Sequence, residues 1–439
     1  MASTYLTRTN SSVGNRQIST FSGWLKKGSN GVDTNRVFLE YNSGTNYFEI
    51  RWRDVDNLRI YQETNGGTGF ELITNRVFRD PSAWYHIVVA IDTTQGTAAD
   101  RIKVYVNGVQ ETSFATSTYP SEDFNIQMNV ASKVVSIGAY QYSGSNYFDG
   151  SMAMMEWVDG QQLTPAYFGS TDSTTGIWTP QASSTISSYG TNGFKLKMDT
   201  TSPGADTSGK GNTFTPSGTP TLTQGNPQNN WCTFNSIYKS QETLAYGNTA
   251  SSLPSSNKFG GVASMGVNTG KWYAEFKMNS GSSSDSTAVG IYGNPITASN
   301  NDQGVGKENN SLSYNSNGQK GLENSFSSYG ASYTTGNVIG VALDMTSATK
   351  NITFYKDGAS QGNITFNLEQ GNEYEGFMFM AANSNTASIG SDWWANFGEG
   401  FFGTTAAGTN ADGNGQGLFA YAVPSGYYAL NTKNLEAYG

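Results

Sequence analysis

Two acidic pairs, one histidine and one cysteine are the residues of this chain whose types could carry out a reaction. Retaining hydrolysis of a glycosidic bond needs two carboxyl groups about 5–5.5 Å apart. Acids at alternate positions of one β-strand would share a face and meet that need. The chain has no Glu-x-Asp-x-Glu run or similar spacing. Its nearest approaches are Glu156 with Asp159 and Asp54 with Asp56. Glu156 and Asp159 are three apart, so on a strand they face opposite sides. Asp54 and Asp56 would share a face, but Arg51 and Arg53 beside them read as a solvated ladder edge. His86 is the only histidine. It lacks the second histidine, the neighbouring cysteine or the serine in a strained elbow that a metal site or a nucleophile would need. It reads as a strand residue beside Trp84 and Val88. Cys232, next to Trp231, has nothing nearby to lower its pKa and reads as an inert, half-buried thiol. These residue types predict a chain that is not an enzyme.

Sugar recognition asks for other chemistry. Pyranose faces stack on Tyr or Trp, and hydroxyls bond to Asn, Asp and backbone groups. The loop Tyr140-Gln141-Tyr142-Ser143-Gly144-Ser145-Asn146-Tyr147 has that mixture, and so does Asn324-Ser325-Phe326-Ser327-Ser328-Tyr329. Tyr140, Tyr142, Asn146 and Tyr147 are therefore candidate glycan-binding residues in the first loop. Phe326 and Tyr329 are the candidates in the second. The same rings could instead pack over the ends of a sheet or against a neighbouring subunit.

The elements that must position these loops read as short strands. One hairpin pattern occurs twice. Trp84 to Asp92 is followed by Arg101 to Val109, and Val338 to Met345 by Asn351 to Gly358. Each copy is an apolar strand ending near Asp, then an alternating strand that stops at Asn107-Gly108 or Asp357-Gly358. Those dipeptides tolerate the positive φ of tight hairpin turns. Alternating runs from Thr20 to Trp157, and again from Phe259, predict antiparallel sandwiches. Only 13% of residues are charged, with 52 Gly, 25 Tyr and 23 Phe, a composition of twisted sheets and many turns. The expected fold is all-β: two antiparallel jelly-roll β-sandwich domains. Their boundaries are 1–180 and 258–400. A semi-ordered Gly/Ser/Thr/Asn-rich connector spans 181–257, and a tail over 401–439 packs on the body or a partner.

The net charge of −9, without a basic cluster, argues against a nucleic-acid surface. A single cysteine allows no intrachain disulfide and suits folding in a reducing cytoplasm. The opening Met1-Ala2-Ser3-Thr4-Tyr5-Leu6-Thr7-Arg8 lacks the apolar core of a signal peptide, and no segment is apolar enough to predict membrane insertion. Asn-x-Ser/Thr triplets begin at Asn10, Asn309, Asn351 and Asn363, and without a signal peptide none is expected to carry glycan.

Residues 1–180 resemble the laminin-G-like branch of the concanavalin A-type jelly rolls. The likeness is carried by Thr20 to Lys27, by Trp84 to Val89 with the Tyr105-Val106-Asn107-Gly108 turn, and by Tyr147 to Ala153. The run Val158 to Gly169, with Asp206 to Asn212 and Asn229 to Asn235, resembles virion proteins of tailed bacteriophages. So does the ending Pro424 to Thr432. Residues 258–400 resemble a SPRY-type sandwich on Gly270 to Glu275, Val289-Gly290-Ile291, and the second hairpin. The resemblance implies a structural protein of the virion, made in the host cytoplasm. Other virion proteins of capsid or tail would be its partners, with host surface polysaccharide as ligand and homo-oligomeric assembly. Its role would be a lectin-like, receptor-binding adhesin at a tail fibre or tip. The alternative is a capsid decoration or tail accessory protein that touches only other virion proteins, and a glycan hydrolase stands third. Laminin-G-like domains often hold one Ca²⁺ at the rim of the sandwich. Asp149 is the leading candidate ligand, with Asp33 and Asp100 in neighbouring loops.

Overall fold

The computed structural model describes residues 4–29, 36–42, 44–140, 146–181, 186–199, 202–238, 242–254, 260–281, 287–293, 304–307, 310–367, 377–383 and 390–439. The chain divides into two units, Met1–Leu222 and Thr223–Gly439. Each is a sandwich of mostly antiparallel sheets. Among the described residues, no helix is long and apolar enough to cross a membrane.

In the first unit, one sheet holds eight strands. In spatial order they are Phe114–Thr118, Gly67–Val77, Asn57–Thr64, Tyr47–Trp52, Arg36–Asn42, Val134–Ile137, Tyr5–Thr9 and Thr215–Ser217. The second sheet holds six: Phe194–Leu196, Gly150–Asp159, Ile18–Lys27, Trp84–Asp92, Ile102–Val106 and Val109–Glu111. Alternation decides which residues meet between the layers. Phe48, Ile50, Trp52, Ile60, Phe70 and Leu72 face Phe21, Leu25, Ile87, Val89 and Ile91 in one buried core. The outer face of the six-stranded sheet is not solvated either. Val88 and Val158 pack there under Leu163, Phe168 and Tyr189.

The second unit repeats the plan. Its larger sheet orders Thr243–Ala245, Ala250–Leu253, Ser391–Asn396, Lys271–Ser280, Val338–Asp344, Lys350–Lys356 and Ala359–Phe366. The facing sheet orders Gly261–Val262, Met378–Asn383, Thr287–Tyr292, Ser311–Asn315, Gln319–Leu322 and Ser325–Ser328.

The stretch expected to be a connector over 181–257 is not one. Phe194–Leu196 pairs with Met155 to Trp157, and Thr215–Ser217 pairs with Tyr5 to Thr7. Both therefore extend the first unit. Beyond Leu222, Ala250–Leu253 pairs with Ser391 to Trp394 and extends the second. Islands of alternation as short as Gly193 to Met198 suffice to add an edge strand, even inside a Ser/Thr/Gly-rich context. Cys232 is fully buried rather than half-buried.

The tail packs on its own unit. Tyr428–Ala429 runs parallel to Trp272 and Tyr273, and Asn431 caps a helix over Thr432–Tyr438 by accepting the Asn434 N–H. Glu275 holds this segment down. Its carboxylate accepts the backbone N–H of Ala420 at 2.8 Å and of Tyr421 at 2.9 Å, with Tyr273 and Asn396 as further donors. Burial pushes this carboxyl up to about 7, and the two amide donors work against that rise. Replacing Glu275 with Ala strands both amides. The expected loss is about 2–3 kcal/mol of local stability. Hydrogen exchange would read it as faster exchange at Ala420 and Tyr421, with the amides of Val338–Asp344 unchanged.

The two hairpins match down to single hydrogen bonds. Asn107 and Gly108 have φ of 49° and 81°, and Asp357 and Gly358 have 48° and 80°. Asn107 Oδ1 accepts the His86 N–H at 2.8 Å, and Asp357 Oδ1 accepts the Val338 N–H at 2.9 Å. Asp92 and Asp344 each accept the N–H and hydroxyl of the threonine two residues on. Both copies are scaffold in which short polar side chains fix the ends of the strands.

Candidate functional site: a tyrosine-lined face of the first unit

The outward side chains of the eight-stranded sheet form a ladder. Register places Ser136 opposite Glu40, Glu40 opposite Glu49, Glu49 opposite Tyr61, and Tyr61 opposite Glu71. Arg51 and Arg59 face each other one step along. Arg59 Nη1 lies 2.8 Å from Glu49 Oε1, and its Nη2 lies 2.7 Å from Glu71 Oε1. Arg51 Nε lies 2.8 Å from the same Glu49 oxygen. Burial pushes the Glu49 carboxyl up, and the two guanidiniums pull it back. Burial also weakens the charge on Arg59, which Glu49 and Glu71 more than restore. Glu49, Glu71, Arg51 and Arg59 thus close into an ion-paired base, with Glu40 beside it.

Tyrosines lie over that base. The Arg59 guanidinium sits 3.7 Å from the centroid of Tyr61, a close cation–π contact. Tyr61 and Tyr47 are 5.3 Å apart, and Tyr47 meets Tyr140 edge-on at 6.0 Å. Burial, with the nearby charge of Glu49, raises the Tyr47 hydroxyl above its ordinary value, so it stays a neutral donor. Ser136 Oγ donates to the Ala139 carbonyl at 2.8 Å just past Val134–Ile137, and the next residue, Tyr140, reaches Tyr47. Where the loop returns, Asn146 takes φ of 57° and Tyr147 lies 6.0 Å from Tyr5.

The sequence-predicted residues therefore part company. Tyr140 joins Tyr47 and Tyr61, while Tyr147 joins Tyr5. Tyr142 lies outside the described residues. Tyr47, Tyr61, Arg59 and Tyr5 were missed because they lie on strands, where alternation reads as scaffold; only cross-strand register could have paired them. In the second unit, Tyr329 is used internally. Its hydroxyl donates to the Gly362 carbonyl and accepts the Phe354 N–H at 3.3 Å, and its ring packs on Tyr314 at 5.3 Å. Phe326 stays 37% exposed on the edge strand Ser325–Ser328, with its ring over Gly321.

The acids and His86 are held elsewhere. Glu156 accepts the Tyr189 hydroxyl, and Asp159 accepts the backbone N–H groups of Asn15, Thr191 and Asn192. Asp56 is not at a solvated edge. It sits in a tight turn with φ of 66°, buried and ion-paired with Lys27, while Asp54 is exposed. Strand alternation does not reach into that turn, so the shared-face argument lapses. Glu40 and Glu49 do face each other, but both are buried, with Glu40 accepting from Ser136 at 2.9 Å and Glu49 tied to two guanidiniums.

Calcium would take six to eight oxygens. Asp149 Oδ2 accepts the Ser29 hydroxyl at 3.0 Å, Asp100 pairs with Lys103, and Asp33 lies outside the described residues. Among the described residues, no group of three or more His, Cys, Asp or Glu side chains could hold a metal ion. The described donors do not amount to a calcium cage.

Residues 1–167 match the family described as the concanavalin A-like lectin/glucanases superfamily, in its laminin G form, and residues 271–390 match the SPRY domain. Each match covers less than half of the chain, and one falls in each unit. No curated protein matches its sequence. Among solved structures, the SPRY domain of human HERC1 is 20% identical, covering 37% of this chain and 96% of that one, with a TM-score of 0.29. The LG1-3 region of the laminin alpha2 chain is 8% identical over 89% of this chain and 59% of that one, with a TM-score of 0.34. A Bacteroides ovatus protein assigned as carbohydrate-binding is 15% identical over 49% and 56%, with a TM-score of 0.34.

Proposed function

We propose that the chain is a non-catalytic, lectin-like module of a tailed-bacteriophage particle that binds uncharged host-surface glycan through the first unit. The observation that carries this reading is the tyrosine row Tyr61–Tyr47–Tyr140 on an ion-paired ladder. The half-buried rings of Tyr47 and Tyr140, supported by the buried Tyr61, offer apolar faces with hydroxyl tips, which suits a pyranose better than a charged ligand. A laminin G-type domain matched to a superfamily of lectins and glucanases agrees with sugar as the ligand class. The virion setting, with other virion proteins as partners, is supported by the runs Val158 to Gly169 and Asn229 to Asn235. One feature favours the decoration or accessory alternative: the edge strand Ser325–Ser328 is exposed along its whole length and could pair with another chain.

The purified full chain on an array of uncharged and anionic glycans tests the reading. Binding to at least one uncharged glycan is expected, without release of reducing sugar. Tyr47→Ala should weaken it about tenfold, the scale of one lost aromatic stacking contact. No binding on any spot would leave the accessory reading standing in its place.

A further inference from the structure

The outer face of the second unit's larger sheet carries a polar array that the tyrosine surface does not involve. The C-terminal segment covers part of this face, with Phe419 and Ala429 on Tyr273 and Ala342. That cover reaches Tyr355 on the strand Lys350–Lys356, while Asn351, Thr353 and the strand Ala359–Phe366 are outside the cluster it forms. Ile352, Phe354, Ile364 and Phe366 point into the core, so Asn351, Thr353 and Tyr355 line up outward on one strand and Asn363 and Thr365 on the other. Both strands carry the same Asn-Ile-Thr run, and the antiparallel register sets Asn351 opposite Thr365 and Thr353 opposite Asn363. Asn363 Nδ2 donates to Asn351 Oδ1 at 2.8 Å and to Thr365 Oγ1 at 3.3 Å. Thr365 Oγ1 donates to Asn351 Oδ1 at 3.2 Å, and Thr353 Oγ1 to Asn363 Oδ1 at 3.4 Å.

We infer that this Asn/Thr ladder, with Tyr355 and Tyr427 beside it, is a second binding surface for an uncharged glycan. An exposed edge strand is ordinarily blunted with charge, lysine above all. Ala359–Phe366 has none, although the whole chain carries a net charge of −9. The mutual bonds hold the amides and hydroxyls in place, so little rotamer freedom is left to lose on binding. They also leave capacity unused: a hydrogen on Asn351 Nδ2, a lone pair on Asn363 Oδ1, and lone pairs on both threonine hydroxyls. Asn351 to Tyr355 spans about 13 Å of strand, at the usual rise per residue. Tyr355 continues the line from Thr353, and Tyr427 packs in the same cluster as Tyr355, with the Lys271 ammonium 5.7 Å from its ring. Lys271 is itself neutralised by Asp344 at 2.9 Å. Fixed donors and acceptors that bear no charge, next to aromatic faces, are the pattern that recognises sugar hydroxyls and ring faces together.

The test uses the full chain from a bacterial host, with Tyr47→Ala and Tyr140→Ala to weaken the first surface. The probes are laminarihexaose, cellohexaose, maltohexaose and yeast mannan, with polygalacturonate as the anionic control. At least one uncharged probe should still bind. Thr353→Val with Asn363→Ala should weaken that binding about tenfold, the scale of one or two lost hydrogen bonds. Asn363→Asp, which keeps the size but replaces the Nδ2 donor with a charged acceptor, should do the same while the chain still unfolds in one cooperative transition. The same changes placed in the wild-type chain show whether one surface fails independently of the other. Loss of all uncharged binding in the first-surface variant would overturn the inference. So would retained binding that the ladder changes leave intact, or ladder changes that alter only self-association.

Discussion

Lys27→Ala is expected to cost the first unit about 3–5 kcal/mol, the usual penalty for breaking one half of a buried ion pair. The Lys27 side chain is 0% exposed and that of Asp56 5%. The ammonium also donates to the Phe78 carbonyl at 2.8 Å and lies 5.5 Å over the Trp52 ring. Without it, the Asp56 carboxylate loses its buried counter-charge, and the Arg79 guanidinium is 4.0 Å away and mostly in solvent. A loss of this size is a large share of the stability of an ordinary domain. Lys27→Met with Asp56→Asn should recover most of it, because no charge is then left unpaired; Asn tolerates the positive φ of this position. Calorimetric unfolding of the single and double variants checks the cycle. Single variants within about 1 kcal/mol of the native chain would contradict a buried pair, since that is the range of an exposed one.

Acid should weaken the first unit through His86. The ring is fully buried, stacked on Trp24 at 4.6 Å and Trp178 at 6.0 Å. Nδ1 accepts the Trp178 indole N–H at 2.9 Å, so Nε2 carries the proton and donates to Ser22 Oγ at 2.9 Å. No partner remains for a second proton, and burial lowers the pKa from the ordinary 6.5 to about 3. The unfolded chain therefore takes up a proton that the folded chain refuses. Stability from this group is complete above pH 6.5 and falls as the pH drops, by about 1.4 kcal/mol per unit. The fall ends near pH 3. His86→Gln removes the titration, so the difference between native and variant stability should shrink by about 2 kcal/mol from pH 6.5 to 4.5. Urea denaturation at the two pH values measures it. A difference that is the same at both would show that His86 titrates normally.

The sandwich scaffold was legible because alternation and Asn-Gly or Asp-Gly turns act over a few residues. Trp84 to Gly108 and Val338 to Gly358 fold as their patterns require. Two things escaped that local reading. Phe194–Leu196 and Thr215–Ser217 join the first unit through partners far away in sequence, and composition alone made them a connector. The binding face escaped for the same reason. Tyr140 could be picked out in a polar loop, but Tyr47 and Tyr61 alternate with core residues and look like scaffold. What joins them is the register of separate strands and the contact of Tyr140 with Tyr47 just past Ile137. Asp56 shows the converse error, since a buried charge pair with Lys27 cannot be seen from the arginines beside it in sequence.

Titration of an uncharged glycan that binds the full chain, compared with the Tyr47→Ala/Tyr140→Ala double variant, tests the central claim most directly. The account predicts that first-unit binding falls by about a hundredfold, two stacking contacts' worth. The double variant should keep the native unfolding temperature, and binding through the second unit should be untouched. Native affinity in the double variant would contradict a tyrosine-lined glycan site on the first unit.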